Sequence, residues 1–171
     1  MGKFILTYKS FGENALLIEW PFRIEEDILY DIINFQKNLE LRLPDLIEEF
    51  IPAYQSLTLF FNPQVISHND LIVEVKQLYQ NADHQHYFQP SVWHIPICYN
   101  THFALDLYEI SERTNLKIDQ VIELHTSTLY TVYFIGFLPG FLYLGGLLPQ
   151  LHMLRKSSPV KKVLKGAVAI G

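Results

Sequence analysis

Cysteine is almost absent from this 171-residue chain. The single thiol, Cys98, excludes an intrachain disulfide framework and makes the reducing cytoplasm the expected location. Charged residues reach only 18%, and no like-charge run, heptad array, low-complexity tract or internal repeat occurs. Coiled-coil, repeat and disordered-tail functions are thereby set aside. Walker A, Rossmann glycine, nucleophile-elbow and zinc-protease patterns are missing as well, so no motif supplies a self-contained nucleotide or metal site. The opening run, Met1 to Lys9, is too short in apolar residues for a signal peptide. Leu129 to Leu151 carries no charge and is long enough for a bilayer, but Gly136, Pro139, Gly140, Gly145, Gly146 and Pro149 interrupt it. A bilayer would leave such a backbone unsatisfied, so the segment reads as part of a soluble protein.

What is present suits a packed core. Hydrophobic residues make up 49% of the chain and aromatics 14%. The net charge of −5 is unevenly spread. Residues 1–90 hold 13 acids and 6 bases, a net of −7, whereas residues 91–171 hold 5 acids and 7 bases, a net of +2. That balance argues against nucleic-acid binding by the first half. The late bases Arg155, Lys156, Lys161, Lys162 and Lys165 form either a solvated face or a local anion site.

The hydrophobic pattern predicts a β-hairpin over 4–8 and 15–20, and an amphipathic helix from Ile24 to Leu41 with Glu25, Glu26 and Asp27 at its positive end. Pro44 ends that helix. A strand pair over 47–52 and 56–61 follows, then a helix capped by Ser67 with Asp70 three residues on. This ββαββα order predicts an α+β domain over residues 1–84. Asp83, His84 and His86 fall in a polar stretch that reads as a linker. A second unit over 88–171 then opens with a strand from Val92 to Tyr99. Helices follow near 103–113, capped by Asn100 or Thr101, and near 117–126, capped by Asn115. Tyr130 to Ile135 and Gly166 to Ile170 read as strands flanking a glycine-proline loop.

Among the seven histidines, His84 and His86 have metal-like spacing but no third ligand cluster nearby. His94 and His102 lack any motif. His125 closes the helix Val121-Ile-Glu-Leu-His125, where imidazole is favoured electrostatically as a cap or stands ready for chemistry. Cys98 lies in an apolar run and reads as a small buried hydrophobe. In Gly136-Phe-Leu-Pro-Gly-Phe-Leu-Tyr-Leu-Gly145 the glycines and proline permit a tight turn, flanked by rigid aromatics. A buried corner, a pocket wall and a subunit interface are equally served by it.

The stretch Tyr130 to Gly146, with its GF-x-PGF-x-YL core, resembles the allophanate hydrolase subunit 1 family, which includes the B component of 5-oxoprolinase and the sporulation kinase inhibitor of bacilli. Ile51-Pro-Ala-Tyr-Gln-Ser-Leu57 is similar to that family's P-x-Y-x-S-L turn, and Ile95-Pro-Ile-Cys-Tyr99 to its IP-V-CY strand. Asp106-Leu, the helix ending in His125, Arg155, Pro159 and Gly166 to Ile170 follow in the family's order. Departures are Leu154 in place of proline, Lys161 or Lys162 where arginine is common, Ala167 for serine, and Asn100-Thr101 in place of a glycine-containing segment. Lysine supplies charge without the bidentate fork of arginine.

The resemblance implies a ferredoxin-like N-terminal domain followed by a cyclophilin-like β-barrel, expected to be truncated because family members continue beyond the strand that closes this chain. It implies the B component of a multi-subunit 5-oxoprolinase. Such a protein works with a homologous C component and with an A component to hydrolyse 5-oxo-L-proline to L-glutamate, using ATP with Mg²⁺ at the level of the complex. His125 and Arg155 would be catalytic. Lys162, Gly136, Phe137, Pro139, Gly140, Phe141 and Tyr143 would bind substrate or anion. The same family features also fit a regulatory inhibitor of a sensor histidine kinase, or a component of a urea-derived carboxamide hydrolase.

Overall fold

The computed structural model describes residues 2–82, 90–154, 156, 158 and 163–170. In chain order they form β1 (Thr7–Ser10), β2 (Ala15–Glu19), α1 (Glu26–Arg42), β3 (Ile47–Pro52), β4 (Ser56–Phe61), α2 (His68–Gln80), α3 (Leu107–Thr114), α4 (Ile118–Thr126), β5 (Thr131–Ile135) and β6 (Leu142–Gly145), closed by a 3₁₀ turn at Pro149–Leu151. Two compact units result. One comprises the chain up to Val92 together with Val132–Leu144, and the other comprises Trp93–Thr131 with the residues from Gly145 onward.

The first unit follows the predicted ββαββα order. The first four strands form one antiparallel sheet in the order β1-β2-β4-β3. Since β2 and β3 both run antiparallel to β4, they are parallel to each other, and β2–α1–β3 is a split β-α-β unit with β4 between its strands. Alternation decides which face is covered. Leu16 and Ile18 of β2 lie opposite Leu59 and Leu57 of β4, and all four are fully buried. Helix α1 adds Ile28, Ile32, Phe35 and Leu39, and α2 adds Leu71, Val75 and Tyr79. Each such side chain contributes roughly 1.5–3 kcal/mol of burial free energy before chain entropy is set against it.

A polar node sits inside this core. Asp31 is 3% exposed, and its Oδ2 accepts from Trp20 Nε1 at 2.7 Å and from the Tyr79 hydroxyl at 2.6 Å. Tyr79 oxygen in turn accepts the Phe4 backbone N–H at 3.0 Å. The buried carboxylate is tolerable because its lone pairs are used. Ser67 caps α2 as the sequence predicts, accepting from the Asp70 N–H.

The chain beyond α2 departs from expectation in several places. Helix α3 begins at Leu107; before it, Asn100 organises a turn through its carbonyl, which accepts from Phe103 and Ala104. Asn115 is not the cap of α4. It ends α3 in the left-handed region at φ 55°, a role open to asparagine, while the Gln120 side chain accepts the Lys117 N–H at the start of α4. The segments 92–99 and 166–170 form no ladder. Strand identity needs a paired strand beside it, and neither sheet among the described residues includes them. No barrel closes among those residues; β5 and β6 pair as a two-stranded ribbon. Cys98 is exposed rather than buried, because the segment around it belongs to neither sheet and is largely exposed. The segment Asp83 to His86 lies outside the described residues.

Candidate functional site

His125 occupies the last turn of α4, whose terminal carbonyls need partners that the helix itself cannot provide. Local hydroxyls supply them. Thr126 Oγ1 donates to Ile122 O at 2.8 Å, Ser127 and Thr128 hydroxyls reach Leu124 O at 3.3 Å, and Tyr130 donates to His125 O at 3.1 Å. The run after His125 therefore fixes the helix end and with it the imidazole's origin.

The ring lies between two tyrosines. Tyr99 meets it edge-on with centroids 5.9 Å apart, and Tyr130 is tilted against it at 5.5 Å. Tyr99 Oη is 2.5 Å from His125 Nδ1. Burial lowers the His125 pKa from its ordinary 6.5. Burial also raises both tyrosines, Tyr99 with some repulsion from Tyr130. The neutral forms of all three groups are thus favoured.

His125 lines a cavity of about 570 Å³ within the second unit. Its walls are chiefly apolar, from Ile97, Phe103, Leu107, Leu151 and Val168. Four of its charged groups pair with one another, and Lys165 adds a further positive charge to the lining. Lys156 Nζ lies 2.5 Å from Asp106 and 3.4 Å from Glu109, and Arg113 lies 2.6 Å from Glu109. Magnesium–ATP would need carboxylates free to face the cation, whereas both acids here are held by cations. Among the described residues no three His, Cys, Asp or Glu side chains converge.

The glycine-proline loop belongs to the first unit. Phe141 N–H donates to Leu138 O at 3.0 Å, with Pro139 and Gly140 central and Gly140 at φ 80°, a Pro-Gly type II arrangement. Leu138 N–H donates to Gly136 O at 2.7 Å across Phe137, which holds φ 60°. A phenylalanine there is strained, at a cost of roughly 1 kcal/mol or more. It is also 83% exposed. Behind this tip the aromatics form a ladder. Phe134 and Tyr143 stack at 4.1 Å, and Tyr54 meets both edge-on at 5.0 and 6.1 Å. Tyr54 hydroxyl donates to Leu144 O at 3.1 Å.

The expected site residues therefore fall into separate groups. Gly136, Phe137, Pro139, Gly140, Phe141 and Tyr143 shape the tip and its ladder in the first unit, and His125 faces the cavity of the second. Arg155 and Lys162 lie outside the described residues. Sequence reasoning missed the work of Tyr99 and Tyr54, although both stand inside the short motifs around Cys98 and Pro52 that carried the resemblance. It also missed Asp106 and Glu109 as partners of Lys156.

The chain matches the family described as carboxyltransferase domain, subdomain C and D, over residues 6–171. It is 31% identical to the 5-oxoprolinase B subunit of Bacillus subtilis, over 95% of this chain and 72% of that protein. It is 34% identical to the 5-oxoprolinase B subunit of Escherichia coli, over 94% of this chain and 72% of that protein. The crystal structure of TTHA0988 superposes with a TM-score of 0.70 at 26% identity, over 84% of this chain and 28% of that longer one.

Proposed function

The chain belongs to the family of the carboxyltransferase domain, subdomain C and D, with 5-oxoprolinase B subunits among its relatives, and from this membership we propose that it is the B subunit of a cytoplasmic 5-oxoprolinase. In this role it acts with the A and C components of that enzyme to hydrolyse 5-oxo-L-proline to L-glutamate. The observation that carries the reading is the identity of 31% to 34% to two such proteins over nearly the whole chain.

The site geometry is compatible with that chemistry. Opening a lactam adds a water oxygen to the carbonyl carbon, breaks the C–N bond and delivers a proton to nitrogen. Negative charge grows on the carbonyl oxygen, and a pre-placed donor in an apolar cavity stabilises it more than water would. His125, half-buried and held by Tyr99, is such a group in a cavity of suitable size. ATP, which this reading requires, is handled elsewhere in the assembly. The exposed tip around Phe137 is a contact for a partner protein, in keeping with the aromatic enrichment of interfaces. We further read the first unit as ferredoxin-like, which its split β-α-β arrangement supports, and the second as part of a cyclophilin-like domain.

The test is ATP-dependent glutamate release from 5-oxo-L-proline by this protein co-expressed with its A and C partners. Turnover that disappears when this chain is left out is the expected result. An assembled complex without turnover overturns the reading and turns attention to the kinase-inhibitor and carboxamide alternatives.

A further inference from the structure

We propose that Tyr99 is a positioning residue that sets the tautomer of His125, so that the ring offers a single Nε2–H donor to the carbonyl oxygen of a small cyclic amide in the cavity of the second unit. The substrate half of this statement rests on the oxoprolinase reading; the tautomer half stands on geometry alone.

The geometry is a contact of 2.5 Å between Tyr99 Oη and His125 Nδ1. Either partner has a proton to give in principle, since a neutral imidazole carries one N–H and a phenol one O–H. The stronger pairing joins the more acidic donor to the more basic acceptor. Phenol O–H is the better donor, and the unprotonated imidazole nitrogen is a better acceptor than phenol oxygen. Tyr99 therefore donates to Nδ1, and the imidazole proton resides on Nε2. Burial works in the same direction, disfavouring both imidazolium and phenolate, so the neutral pair persists.

Two further contacts hold the arrangement. Tyr130 hydroxyl bonds the His125 carbonyl at 3.1 Å while its ring covers the imidazole at 5.5 Å. The backbone origin and the ring are thus tied by different tyrosines. The charges nearest each other in the lining cancel. Lys156 is paired with Asp106 and Glu109, and Arg113 with Glu109, while Lys165 adds one positive charge to the lining. At His125 itself, a single uncharged N–H donor beside apolar walls complements an amide carbonyl.

The experiment begins with the chain itself, labelled with ¹⁵N-histidine, and His125→Gln to assign the signals. Long-range ¹H–¹⁵N correlations should report an unprotonated Nδ1 and a protonated Nε2 for His125. In Tyr99→Phe the pattern should shift toward a mixture of tautomers while the other histidines keep their signals. An Nδ1–H tautomer in the unaltered chain, or an unchanged pattern in Tyr99→Phe, overturns the positioning role. If Tyr99→Phe fails to fold, the unaltered chain decides by itself. In the assembled complex, Tyr99→Phe should lower kcat at least about tenfold with KM little changed. A shifted tautomer with undiminished turnover overturns the substrate assignment and leaves the tautomer intact. An unaltered complex without any turnover instead marks the failure of the oxoprolinase reading.

Discussion

His125 links the chemistry of the site to the stability of the fold. Its pKa in the folded chain lies below the ordinary 6.5 because burial penalises the imidazolium. Above 6.5 the ring is neutral in both folded and unfolded chains and costs nothing. As pH falls, the unfolded ring takes its proton first, so stability is lost progressively until the folded ring also titrates. Urea midpoints measured from about pH 7 to about pH 5 should therefore fall more steeply for the unaltered chain than for His125→Gln. Parallel slopes would refute the assignment. How much of this was legible in the sequence is a matter of range. The helix spacing put His125 in the last turn, because that needs only neighbours three and four residues away. Its partner Tyr99 lies 26 residues earlier across two helices, a distance that no local pattern reports.

At the scale of elements, the first unit was readable because its signals are local and redundant. Ile28, Ile32, Phe35 and Leu39 recur at helical spacing, Leu57, Leu59 and Phe61 alternate, and Ser67 precedes its helix with Asp70 in the capping position. The chain beyond α2 was less so. Val92 to Tyr99 has strand composition, but a strand exists only by pairing, and composition does not supply the neighbour. Leu142–Gly145 was hidden for the opposite reason, since Pro139 and Gly140 beside it look like continuing loop although they make the turn of a ribbon. The node that joins α1 and α2 to Trp20, just past β2, was not visible either. Asp31 looks like one more acid on an acidic helix, yet it takes hydrogen bonds from both Trp20 and Tyr79. Asp31→Ala would orphan those two donors and should destabilise the first unit by about 3 kcal/mol in urea unfolding. Asp31→Asn, which keeps an acceptor in place, should cost clearly less. Equal losses would show that packing, not hydrogen bonding, is what Asp31 provides.

For the whole molecule, the two units differ in how much they bury. Among the described residues, the first unit closes a core of fourteen buried residues around its sheet, whereas in the second the core cluster is Leu107, Val121 and Leu151. The larger core should outlast the smaller, so urea unfolding should be sequential, the second unit first, and one two-state equilibrium should not describe it. The tryptophans turn this difference into a spectroscopic asymmetry. The chain has two, Trp20 in the first unit at 4% exposure and Trp93 in the second at 83%. An indole already in water hardly changes colour when its surroundings unfold, while one sealed in a core shifts to the red. Intrinsic fluorescence therefore watches the first unit and is nearly blind to the second. Far-UV circular dichroism sees α3 and α4 as well, so its transition should start at lower urea than the fluorescence transition. Coincident curves would mean that the two units melt as one.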